Sequence, residues 1–379
     1  MSMKLYADRL ERALRPYTQV SSVHPWQPMR RNRLPIPLRQ GLDYALRYLH
    51  YPRSLKQHSA DIFHIVDHSY AHLVSKLPAE RTVITCHDLM LLKLAAGEFG
   101  ARRPPRTAMA LFRRSVSYLG RAAAIITDSE ATASDLGKYL GIPRPKIRVV
   151  PLGVDGYGPI PQVELREHLR ARYGLADRAV LLHVSGNSFY KNLEGIIQAL
   201  SCLNASRSGL KPVLVKVGKP LTREQRRLAE RSGVWPLIRE VGVTSQRTVQ
   251  ELYWAADVLV FPSLWEGFGW PPLEAMASGT PVVTTHCGAL REVVGEAAEI
   301  VDPHDPEDIA RGVARVLEDE TRRRELVTRG YNRVRLFRWE EAAQAVFSVY
   351  QSLAANSDEE RAGAPRAGGV VESRMRATV

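Results

Sequence analysis

The sequence predicts an α/β protein made of two doubly wound domains, and three observations predict it. Short apolar runs of four to six residues alternate with segments of helical periodicity along most of the chain. The 379 residues, 45% of them hydrophobic, suffice for two cores. Polar clusters stand just after several of the apolar runs, where open parallel sheets hold their ligands.

The chain opens on a helix. Leu5, Leu10 and Leu14 share one side of a segment expected to be helical over Tyr6–Leu14. The five residues before it are too few for a strand and a turn, and Lys4 interrupts their apolar character. A doubly wound domain normally begins with a central strand. The first domain is therefore expected to lack its first strand, or the sequence to start too late. Val20–Tyr51 carries the basic run Met29–Arg33, then Leu42, Ala45, Leu46 and Leu49 at helical spacing. Asp61–Val66 reads as a strand followed by Asp67, His68, Ser69 and Tyr70, and Thr82–Thr85 as a strand followed by Cys86, His87 and Asp88. Arg113–Leu119 reads as helix, Ala124–Thr127 as strand, Ser129–Leu140 as a helix capped by Asp128 or Ser129, and Ile147–Pro151 as strand. Pro159 and Pro161 make a stiff linker, so the domain boundary is placed near Gly156.

In the second domain Glu164–Tyr173, Leu193–Leu200 and Thr248–Ala256 read as helices, and Ala179–Val184, Val213–Val217 and Ile238–Val241 as strands. Asp257–Phe261 is a further strand, four of its five residues being apolar with Pro262 stopping it, and Pro281–Thr285 another. Between them lie a loop and a short helix. Pro271 and Pro272 suit a first helical turn, Leu273, Met276 and Ala277 give one apolar face, and Gly279 sits where a helix stops. Glu266 falls in the loop and Glu274 in the first turn. Asp305–Leu317, Thr321–Asn332 and Phe337–Leu353 complete the helices. The expected organisation is residues 1–155, residues 156–336, a terminal helix at 337–355 and a disordered tail at 356–379, rich in Gly, Ala, Arg and Glu without periodicity.

Composition narrows the function. No run approaches the length of a membrane span, and no apolar core of a secretion signal follows the basic residues at the start. Three scattered cysteines, Cys86, Cys202 and Cys287, read as reduced thiols. Both readings suit a cytoplasmic protein. No His or carboxylate cluster has metal-site spacing. The net charge of +13 lies wholly in residues 1–150, which hold 24 Lys and Arg against 11 Asp and Glu. Without a zinc finger, an RNA-binding aromatic motif or an unbroken basic helix, nucleic acid is not the expected partner. An anionic membrane surface or anionic acceptor fits the charge better.

The chemistry concentrates at two strand-to-helix turns. Gly267 and Gly269 let backbone N–H groups approach an anion at a helix N-terminus. Glu266 and Glu274 beside them suit the vicinal hydroxyls of a sugar and a ribose. In GNSFYKN, Gly186–Asn192, Lys191 is placed to neutralise a diphosphate.

The frame FPSLWEGFGWPPLEAMASGTPVV resembles the signature of the retaining glycosyltransferases of family 4, and the resemblance extends from about Ala60 to Ala354. It implies the GT-B fold, two Rossmann-like domains facing across a cleft. It places Glu266 against the donor sugar and Glu274 on the ribose. His87, in TVITCHDL, matches the family's His-Asp, where the histidine approaches the sugar from the first domain. The implied donor site comprises Gly186, Asn187, Lys191, Val243, Gly267, Phe268, Gly269, Leu273 and Glu274, with Val243 near the base. Many relatives carry Arg where this chain has Asn187, so one of two expected cations is missing. The implied reaction moves a hexose from a nucleotide diphosphate sugar to a glycan or lipid-linked acceptor, with retention and without metal or cofactor. The alternative is a non-catalytic nucleotide-sugar-binding protein, suggested by the missing first loop and the replaced Arg. A dinucleotide oxidoreductase would need a third glycine that the GFG of Gly267–Gly269 lacks.

Overall fold

The computed structural model describes residues 3–24, 42, 45–100, 102–160, 162–206, 209–362 and 376–378. The chain forms two compact units, Met1–Pro151 with Trp339–Val379, and Leu152–Arg338. The limits expected from the sequence were residues 155 and 336.

The first unit holds a parallel sheet with β1 (Gln19–Ser21), β2 (Ile62–Ile65), β3 (Thr82–Cys86), β4 (Ala124–Thr127) and β5 (Ile147–Val149), in which β2 to β5 are neighbours in chain order. Every residue of β2, β3 and β4 is buried, the pattern of parallel strands covered on both faces. Their core joins Ile84, Cys86 and Ile125 to Leu119, Leu136 and Ile147. The Met3–Leu14 helix buries Tyr6, Leu10 and Leu14, spaced four residues apart. It packs against the Trp339–Ala362 helix, which runs beyond the expected end at 355. The helix expected at Arg113–Leu119 instead spans Arg106–Val116, beginning directly after Pro105. Its basic exposed face hid the periodicity. The helical spacing read around Ala45, Leu46 and Leu49 falls on a π turn, Leu46–His50, that runs directly into an α-helical turn at Tyr51–Ser54. The basic run Met29–Arg33 lies outside the described residues.

The second unit is a parallel sheet of β6 (Ala179–Val184), β7 (Pro212–Val217), β8 (Ile238–Gly242), β9 (Val258–Phe261), β10 (Val282–Thr284) and β11 (Glu299–Ile300). The spatial order is β11-β10-β9-β6-β7-β8. The chain therefore runs outward from β6 in one direction, through β7 and β8, and from β9 in the other. Adjacent β6 and β9 form the topological switch point, and their C-terminal ends bound the crevice where such sheets bind ligands.

One last strand, β12 (Arg376–Thr378), belongs to the first sheet and lies between β1 and β2. It is parallel to both, pairing Gln19 with Arg376 and Ser21 with Thr378 on one side, and Ala377 with Ile62 on the other. Among the described residues no strand precedes the first helix, as expected, but the place beside β2 is filled from the far end of the chain. The tail expected to be disordered from residue 356 thus supplies helix to Ala362 and this strand. Two sheet edges offering unpaired N–H and C=O groups on either side of one gap explain why so short a segment docks there. Three residues carry no periodicity by which to find it.

Candidate active site

At the C-terminal end of β9 the chain turns through residues 262–269 into the Trp270–Ala277 helix. Gly269 precedes the helix at φ 112°, and a Cβ there would stand 2.8 Å from Leu290 Cδ2. The loop is anchored from below. The Glu266 carbonyl accepts from Ala289 N–H at 2.9 Å, and Gly288, at φ 62°, approaches so closely that a Cβ would lie 2.3 Å from that carbonyl oxygen. Leu273 and Phe268 are buried beneath the loop, with the Phe268 ring 5.9 Å from Phe337.

Glu266 is 7% exposed, and its Oε1 accepts from Lys191 Nζ at 2.6 Å. This brings together two residues that the sequence placed at separate turns. Glu274 is also buried, but it stands in the second turn of the helix, not the first, because the helix begins at Trp270. That position corrects the expectation and removes the simplest structural role for Glu274, stabilising the helix dipole at its first turn. Its Oε2 accepts from the Tyr253 hydroxyl at 3.0 Å. Burial, with the Glu274 charge beside it, pushes the Tyr253 phenol well above its usual range, so it remains a donor.

The β6 turn brings Lys191 to Glu266. Asn192, in the left-handed region at φ 57°, caps the following helix by accepting from Gly195 N–H at 3.3 Å. Its Nδ2 donates to the carbonyls of Pro262 and Pro303 at 3.1 and 2.7 Å, tying the β6 turn to the β9 loop. Sequence reading passed over Asn192, although an Asn directly before an apolar helical run is an N-cap signal. The Lys191 ammonium also lies 5.1 Å from the Tyr190 ring centre and 5.2 Å from that of Phe261. Gly186 is exposed, and the Asn187 side chain donates to the Pro220 carbonyl. Val243, 84% exposed, follows Gly242 at the end of β8. The predicted donor residues therefore all belong to the second unit, on turns or the helix that follow β6, β8 and β9.

His87 belongs to the first unit, just beyond β3. It is 4% exposed, its Nε2 donates to the Val66 carbonyl at 2.9 Å, and its Nδ1 lies 2.6 Å from Asp128 Oδ2. A carbonyl and a carboxylate can only accept, so both ring nitrogens carry hydrogen and the ring is an imidazolium. Burial alone would lower its pKa, but the charge and hydrogen bond of Asp128, with the Val66 carbonyl, raise it. The edge of Tyr6 packs on the ring at 4.7 Å. Asp128, considered from sequence only as a helix cap, is the partner of His87, and Ser129 makes the cap. His64 and His68 differ from His87. Burial lowers both, His64 to about 3, and His64 is held between Tyr350 and Thr85 at 2.7 Å on each side. Among the described residues no group of His, Cys, Asp and Glu is arranged to hold a metal ion, and no helix is long and apolar enough to cross a membrane.

Comparison with known proteins agrees with this geometry. Residues 166–333 match the family described as glycosyl transferases group 1, and residues 7–156 match glycosyltransferase family 4. The chain is 28% identical over 323 residues to an O-antigen chain mannosyltransferase B of Escherichia coli, covering 82% of this chain and 80% of that one. It is 29% identical over 331 residues to a serotype-specific mannosyltransferase WbdA of Escherichia coli, covering 83% of this chain but only 39% of that longer protein. Among solved structures, Anabaena HepE in complex with UDP-glucose superposes with a TM-score of 0.70 at 18% identity, covering 94% of this chain and 96% of that one. This last likeness is one of fold.

Proposed function

The chain belongs to the glycosyltransferases of family 4, with the GT-B fold, and on that premise we propose that it moves a hexose, with mannose the first candidate, from a nucleotide diphosphate sugar to a carbohydrate or lipid-linked acceptor with retention. The observation that carries the reading is the Lys191–Glu266 pair at the switch point of the second unit, beside a helix N-terminus. An ammonium and a carboxylate held together there are the two charges that a departing diphosphate and an electron-poor anomeric carbon require.

On donor binding, Lys191 exchanges Glu266 for a phosphate oxygen, and Glu266 turns to the sugar. The bond from anomeric carbon to phosphate oxygen breaks, with its electron pair leaving on the diphosphate. The acceptor hydroxyl then attacks from the same face, and its proton passes to the leaving phosphate oxygen. Lys191, the loop amides and the helix N-terminus balance the phosphate charge, so the proposed reaction needs no metal. Glu274, oriented by Tyr253, accepts from the ribose hydroxyls. His87, the catalytic candidate of the first unit, offers a fixed positive charge and not a base, because both its nitrogens are engaged. A non-catalytic binding protein is not favoured, since the matched relatives are named as transferases.

The first unit is assigned the acceptor, with an anionic membrane surface as its setting. Arg102, Arg103, Arg106, Arg113, Arg114 and Arg121 lie in a stretch without one acidic residue, and exposed Leu111 stands among them.

Thermal stabilisation by a panel of nucleotide sugars, GDP-mannose and UDP-glucose included, tests the reading, followed by proton NMR of the product's anomeric configuration. We expect one donor class to stabilise the protein and the product to keep the donor's configuration. Stabilisation by none would overturn the donor site, and an inverted product would overturn retention.

A further inference from the structure

All six residues of β7 are buried, and one of them is a lysine, Lys216, only 1% exposed. An ammonium in such a place is costly unless each of its three donors is satisfied. Here they go to three backbone carbonyls, Ser185 at 2.7 Å, Lys219 at 2.9 Å and Val217 at 3.0 Å. The first opens the turn after β6, Val217 is the last residue of β7, and Lys219 lies in the turn that follows it. Gly218, between the latter two, presses so closely on the first turn that a Cβ would lie 2.2 Å from the Ser185 oxygen. The bond from Asn187 to the Pro220 carbonyl ties the same two turns again.

The direction of these carbonyls has a consequence for the surface above. In a trans peptide the N–H points opposite to the C=O. With the Ser185 carbonyl drawn down onto Lys216, the N–H of exposed Gly186 faces away from the core, at the end of β6. We propose that Lys216 is a positioning residue for the donor diphosphate: it holds the Ser185–Asn187 turn with the Gly186 N–H turned outward, and it sets a positive charge beneath the anion. This inference rests on the donor site proposed above.

Burial lowers the Lys216 pKa to about 8, while Glu240 on β8 favours its charged form, and His183 on β6 is uncharged because burial takes it to about 3. Since the folded pKa lies below the ordinary value, the positive charge is present below pH 8 and is lost as pH rises through 8. Calorimetric titration of GDP and UDP into the intact protein from pH 7.5, where a diphosphate is almost fully ionised, to pH 9.5 reads this directly.

We expect Lys216→Met, with its melting curve checked for folding, to bind the preferred nucleotide about tenfold more weakly at pH 7.5, as loss of one charge-assisted contact requires. Its affinity should no longer fall across pH 8, whereas that of the native protein should. Lys216→Gln, which keeps a donor but not the charge, should fall between the two and share the flat profile; it also serves if the Met variant does not fold. Native-like affinity and pH dependence in a folded variant would overturn the role of Lys216 alone. Failure of the native protein to bind either nucleotide would overturn the donor site and this inference with it.

Discussion

Both units place a charged pair at the C-terminal edge of a parallel sheet, but the two pairs are finished differently. In the second unit Lys191 meets Glu266 on glycine-bearing turns, and its side chain remains 17% exposed. Each group has hydrogen-bonding capacity left, so a ligand can trade places with either partner. In the first unit His87 and Asp128 are 4% and 1% exposed, and the imidazolium has spent both donors on Asp128 and Val66. Such a pair has its desolvation offset by internal partners, and the one oxygen it leaves without a hydrogen bond, Asp128 Oδ1, is buried away from solvent. Position at the edge of a sheet is thus not enough to make a reactive group. Hydrogen-bonding capacity left within reach of solvent distinguishes the pair suited to chemistry from the pair that fixes a local charge.

The comparison breaks most readily in the first unit. Asp128→Ala should strand a buried imidazolium and destabilise the protein by about 3–5 kcal/mol, read as a lower melting temperature in the first unit's transition. A change below 1 kcal/mol would show that the pair is exchangeable after all. The pH dependence has a definite sign. The folded His87 pKa is raised above its unfolded value near 6.5, so the stabilisation is complete below about pH 6.5 and fades as pH rises through the folded value. Denaturation at pH 6 and pH 9 should show a difference that Asp128→Ala lacks.

In the second unit, Glu266→Gln keeps the size of the side chain and removes its charge. We expect kcat to fall roughly 10²–10³-fold while donor affinity changes little, because the charge acts chiefly on the transition state. Loss of affinity with kcat preserved would reverse the roles given to Glu266 and Glu274. For Glu274→Ala we expect the opposite pattern, a loss of about 1.5–3 kcal/mol in donor binding by calorimetry, as for hydrogen bonds to a charged group. The smallest effect sharpens the contrast in charge between the units. Sedimentation with anionic vesicles should bind the protein at low salt and release it as salt rises, and reversing Arg113 and Arg114 to Glu should weaken binding by about 1 kcal/mol per residue. Equal binding to neutral vesicles would remove the electrostatic basis.

How far the sequence could be read depended on whether the signal was local. Ala179–Val184 is a strand over the residues read as one, and the short helix after Gly269 carries its proline pair in the first turn, because apolar runs and prolines act through near neighbours. The loop carrying Glu266 was legible for the same reason. Pairings across the sheet were not. Nothing near Lys216 in the sequence says that its ammonium will meet the carbonyl of Ser185, and nothing near His87 points to Asp128, 41 residues away. Asn192 was within reach as a helix cap, but its two bonds to the β9 and β11 ends depend on the order of the strands. The boundary of Arg106–Val116 failed because arginine-rich surface residues blur the apolar period.

The first unit's construction also bears on how the chain matures on the ribosome. Its sheet begins with Gln19, yet β12 and the helix bearing Trp339 and Tyr350 emerge only after every residue of the second unit. Tyr350 closes on His64 across 286 residues of sequence. A domain begun first is therefore completed last. During synthesis the second unit has its whole sequence available while β1 and β2 still lack the strand between them, leaving facing edges open to other nascent chains. Slow elongation through residues 152–338 lengthens that exposure, so a chaperone that shields strand edges should matter more to the N-terminal third of this chain than to the part made after it.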